Sequence, residues 1–110
     1  MDKMIAAQRN LKEALLVLAQ DADFTEKHLR AYRQCINPAT AQGIPAVIRK
    51  DYYRLADRFA PLVARSDGDK AVFDAATLND IAPAVMELFV RLTEWITLEH
   101  YLLNQRVHYA

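Results

Sequence analysis

Glycine is scarce in this sequence: only Gly43 and Gly68 occur in 110 residues. A β protein of this size needs many tight turns, and tight turns draw on Gly, Asn and Pro. The shortage points away from strands, and two isolated glycines cannot build a phosphate-binding loop. Cys35 is the single cysteine, so no internal disulfide can form. Ser66 is the single serine, and it sits in a Gly-Asp loop with no strand before it, which does not make a nucleophile elbow. Long apolar runs are also missing. The most apolar stretch, residues 81–103, is broken by Glu87, Arg91, Glu94, Glu99 and His100, so it is no membrane-spanning helix. The first residues lack the apolar run of a signal peptide, and the cytoplasm is the expected compartment.

Net charge is zero, with 14 basic and 14 acidic side chains. Its distribution is uneven. Residues 44–65 hold five basic and two acidic groups, whereas residues 66–110 hold three basic and seven acidic ones. The two regions are expected to attract each other, most simply within one chain. A chain of zero net charge lacks the usual footprint of a phosphate binder, which disfavours nucleic acid as a partner.

What is present is helix-forming. Apolar residues make up 53% of the chain, enough for one core, and long stretches are rich in Ala, Leu, Arg, Glu and Gln. Residues 2–20 place Met4, Ala7, Leu11, Ala14, Leu15 and Leu18 on one face, and the apolar run 15–18 is expected to be buried on several sides. Asp23 and Glu26 form a capping pair for a second helix to about residue 36, with Phe24, Leu29, Tyr32 and Ile36 inward. Asn37-Pro38 is expected to stop it, leaving a loop at 37–43. A third helix from about Ile44 carries the stripe Ile44, Ile48, Tyr52, Leu55, Phe59 and Leu62, with Pro61 expected to kink or end it. A short extra helix is expected at 70–78. Asp80 then opens the longest helix, to about residue 107, with the stripe Ile81, Val85, Leu88, Leu92, Trp95, Ile96 and Leu103 and a charge ladder of Glu87, Arg91 and Glu94. The expected fold is a single all-α domain over residues 1–110: a small bundle of four main amphipathic helices plus the short one.

Chemistry-bearing constellations find little support. The glutamates at 26, 87, 94 and 99 have no histidine three residues on, so the di-iron pattern is absent. His100, Asn104 and His108 share a helix face but lie off the apolar stripe, as solvated surface residues do. Cys35 reads as a buried, unreactive thiol. Ala39, Gly43 and Ile44 echo the spacing of a helix-turn-helix, but Pro38 would fall inside its first helix. No catalytic residue, metal or cofactor is expected.

Two surfaces stand out instead. One is the far end of the last helix, Trp95, Glu99, Leu102, Leu103 and Arg106, where Glu99 lies on the apolar stripe with Arg106 seven residues on. An unpaired carboxylate there is either wet or paired with a basic residue that fixes register. The other is the outward face of the third helix, Arg49, Tyr53 and Asp57, where an outward tyrosine beside an arginine is a common binding anchor. The expected function is that of a small non-enzymatic interaction or regulatory protein of the adaptor, inhibitor or antiactivator type, acting as a helical homodimer. The alternatives are an accessory helical subunit of a larger enzyme or nucleoprotein complex, and a nucleic-acid-binding regulator using basic helix 44–65.

Overall fold

A computed structural model describes residues 2–64 and 78–109, with 64 and 106–109 described by their backbone alone. The chain forms an all-α bundle of α1 (Asp2–Leu18), α2 (Phe24–Cys35), α3 (Pro38–Gln42), a 3₁₀ turn (Ala46–Ile48), α4 (Arg49–Ala64) and α5 (Ile81–Tyr109). No strand occurs among the described residues. The Gly-Asp loop around Ser66 and the expected short helix at 70–78 lie outside them, apart from Leu78, which is fully buried.

Helix α1 is the hub. Ala7, Leu11, Ala14 and Leu18 are buried, with Met4 and Leu15 half-buried at the edge of the stripe. The run at 15–18 is not enclosed on all sides, because Leu16 points to solvent at 51% exposure. Asp23 opens α2 as expected, its carboxylate accepting the Glu26 amide at 2.9 Å. The buried face of α2 is rotated from the expected one: His28, Ala31 and Cys35 are buried, while Phe24, Leu29, Tyr32 and Ile36 are half-buried flanks. Small residues take the close approach to α1, and larger ones close over its sides. His28 Nδ1 lies 2.7 Å from the Phe24 carbonyl. A carbonyl only accepts, so this nitrogen carries the proton.

The segment 37–43 is a helix where a loop was expected. Asn37 is an N-cap, its side chain accepting the Thr40 amide at 2.9 Å, and Pro38 occupies the first turn. Proline stops the helix before it and starts the one after it. Gly43 ends α3 against α1, so close that an added Cβ would lie 2.1 Å from the Lys3 carbonyl oxygen. The buried Thr40 accepts a hydrogen bond from Asn10 across the same contact, at 2.9 Å.

The stripe of α4 is buried as expected, from Ile44 and Ile48 through Tyr52, Leu55, Phe59 and Leu62. The α-helix begins later than Ile44, at Arg49, after Pro45 and the 3₁₀ turn. It does not end at Pro61 but continues to Ala64. Residues 57 and 61 are both exposed, so water can serve the carbonyl that Pro61 leaves unpaired. Helix α5 buries Ile81, Val85, Leu88, Leu92 and Ile96. It runs antiparallel to α4, since Arg91 pairs with Asp51 and Arg58 with Asp80. It is antiparallel to α1 as well, with Gln8 donating to Thr93 at 3.0 Å and Phe89 beside Lys12.

Candidate functional site

Burial along α5 stops at Ile96, although the helix runs on to Tyr109. At 1.5 Å per residue the remainder projects by about 20 Å. The cause lies in the neighbours: α4 begins only at Arg49, whose level on α5 is just beyond Arg91, and α1 begins at Asp2. Past those starts no element of the described chain packs on the stripe. Leu102 and Leu103 are accordingly exposed, Leu103 at 44%, while Leu98 and Tyr101 are exposed on faces off the stripe. Leu103 continues the stripe as expected, but the bundle has ended below it.

Trp95 and Glu99 are half-buried at the root of this projection. Glu99 makes no ion pair among the described residues. Arg106 belongs to the same helix, and the helical repeat sets it on the stripe two turns beyond Glu99. Four of the five residues expected here, Trp95, Glu99, Leu102 and Leu103, are thus brought onto one side of one projecting element, with Arg106 placed in register with them.

Two residues were missed by sequence reasoning. Val47 and Leu98 join Ile48, Arg91, Glu94 and Trp95 around an open groove between the 3₁₀ turn and α5. Val47 is 63% exposed. Both are apolar residues lying off the buried stripes of their elements, and that was the available signal. The groove lies at the base of the projection, so the apolar surface is continuous from Val47 and Trp95 through Leu98 to Leu102.

The second expected surface is less unified. Tyr53 is 58% exposed, with its ring 6.0 Å from that of Tyr52. Asp57 is exposed. The Arg49 guanidinium folds back toward the Ile44 carbonyl, at 3.4 Å. Two other basic residues of α4 lie toward the α5 flank, where Arg58 is 3.5 Å from Asp80 and Arg54 is 3.9 Å from Asp51. Arg58–Asp80 joins the basic middle to the acidic end as expected, whereas the pair of Arg91 with Asp51 across the α4–α5 seam runs the opposite way. These exposed pairs orient the two helices more than they stabilise them.

Cys35 is fully buried, and desolvation pushes its thiol up to about 12. Tyr52 is raised as well, chiefly by burial. Its hydroxyl lies 3.4 Å from the carbonyls of both Cys35 and Asn37. A thiol that stays protonated and enclosed is a packing group. Among the described residues, no cluster of His, Cys, Asp and Glu is placed to hold a metal ion, and no helix is long and apolar enough to cross a membrane. Compared with family models, curated proteins and solved structures, the chain matches none.

Proposed function

We propose that this protein is a non-enzymatic helical interaction protein of the adaptor, inhibitor or antiactivator type, and that it works as a homodimer joined through the projecting end of α5. One observation carries the reading: a helix that leaves its bundle at Ile96 while still presenting Leu102 and Leu103 along the line of its buried stripe. An isolated helix of about 12–15 residues is marginal in water. Apolar residues on it add no stability to the monomer, and contiguous exposed apolar surface marks an interaction site. A second copy covers it with a single self-complementary patch. The outward face of α4, with Arg49, Tyr53 and Asp57, is then left for a foreign protein.

The test is the mass in solution of the wild type and of Leu102→Lys/Leu103→Lys. The wild type is expected to be a dimer, and the variant a soluble monomer that keeps its helical bundle. A wild type that is monomeric at every concentration, or a variant that stays dimeric, refutes the reading. A variant that unfolds assigns these leucines to the core, against their exposure, and refutes it too.

A further inference from the structure

We infer that the projecting end of α5 pairs with the same segment of a second copy in antiparallel register, crossing near Leu102 and Leu103, with Glu99 of each chain level with Arg106 of the other. This deepens the homodimer reading above and rests on it. Register, space and charge each bear on the geometry.

Register fixes the side. The stripe buried from Ile81 to Ile96 continues along the helix as Glu99, Leu102, Leu103 and Arg106. A helix covering it must lie where the bundle would continue if α1 and α4 were longer. Space then fixes the direction. That volume is closed at its base by the end of the bundle, where Val47 and Ile48 meet Trp95 and Leu98. A parallel copy entering it would bring its own residues 81–96, and the bundle packed on them, into the volume this bundle already fills. An antiparallel copy carries its bundle away from the contact and lays the tip of its helix toward the Val47–Leu98 groove.

Charge selects the same direction independently. Glu99 and Arg106 stand seven residues apart, two turns along one stripe. In parallel pairing each would face its own kind. In antiparallel pairing about Leu102 and Leu103, each Glu99 is level with the partner's Arg106, so both stripe charges are matched and the leucines meet at the dyad. Polar residues within an apolar seam fix register and orientation in this way.

Two measurements on the full chain test it. The first is a spin-label distance on Val90→Cys, a position on the exposed side of α5; Cys35 is fully buried and stays unlabelled. Antiparallel overlap separates the two labels by about 25 residues of helix, or roughly 38 Å. A parallel pair brings the labelled helices side by side, at axes about 8–10 Å apart. A distance near 40 Å is expected, and one below about 20 Å overturns the inference. The second is charge reversal. Glu99→Arg and Arg106→Glu are each expected to weaken dimerisation about tenfold or more, and the double variant to restore it. Single variants that dimerise as the wild type does overturn the inference while leaving the dimer standing. A wild type that is monomeric at all concentrations assigns the face to a different protein and overturns both readings.

Discussion

Gly43 shows how much of this fold hangs on individual side chains. Its φ of −89° is ordinary for any residue, so the requirement is for space and not for backbone freedom. A methyl group here would lie 2.1 Å from the Lys3 carbonyl oxygen and 2.6 Å from the Ala7 Cβ. Neither can swing aside, so α1 itself must move. Gly43→Ala is expected to cost about 1–3 kcal/mol, read as a lower urea midpoint with an unchanged slope. Cys35 and Tyr52 make a different demand, on pH. Below pH 9 the thiol is protonated in both folded and unfolded chains, and stability is complete. Between the ordinary thiol value of 9.0 and about 12 the unfolded chain releases the proton that the folded chain keeps. Stability therefore falls as pH rises through this window, at up to about 1.4 kcal/mol per pH unit. Tyr52, raised from 10.0, acts in the same direction. The urea midpoint is expected to be lower at pH 11 than at pH 8, with a smaller drop in Cys35→Ala; equal midpoints would contradict the buried thiol.

The elements differ in how far the sequence discloses them. The stripe of α4 could be read completely, because Ile44, Ile48, Tyr52, Leu55, Phe59 and Leu62 are large, apolar and spaced by three or four. The face of α2 could not. Periodicity weighs hydrophobicity, whereas a close helix pair selects for small size, and so Ala31 and Cys35 went inward ahead of Leu29 and Tyr32. Asn37-Pro38 is ambiguous for a related reason, since the same pair stops one helix and caps the next. In the candidate site, Glu99, Leu102 and Leu103 stood out by their place on the stripe. An end of burial near residue 98 is one of two readings there, and what decides it is the starts of α1 and α4, nothing in α5 itself. Hydrogen exchange can resolve this boundary. Amides of 81–96 are expected to be protected at any protein concentration. Those of 98–105 are expected to gain protection as concentration rises, and to stay fast in Leu102→Lys/Leu103→Lys. Strong protection of 98–105 in a dilute monomer would mean that the projection is stable alone.

At the scale of the molecule, the radius of gyration is 16.0 Å and the longest dimension 61 Å. A compact chain of this length has a radius of about 13 Å, and the projecting helix contributes to the excess. Two such molecules overlapping by about 20 Å of helix give a rod of roughly 100 Å from the 61 Å of each. Small-angle scattering of the dimer is expected to show that maximum dimension, and a value near 61 Å would place the second copy alongside the bundle. The hydrogen bond between Gln8 and Thr93 joins residues 85 positions apart, and it bears on how the chain is made. Synthesis proceeds at about 5–20 residues per second, so α1 waits roughly 4 to 17 s for the helix that covers its second flank. In that interval α2 and α3 can already pack on α1, but the side that meets α5 stays open on the ribosome. Nascent chains on neighbouring ribosomes thus expose this flank before they expose the projecting end.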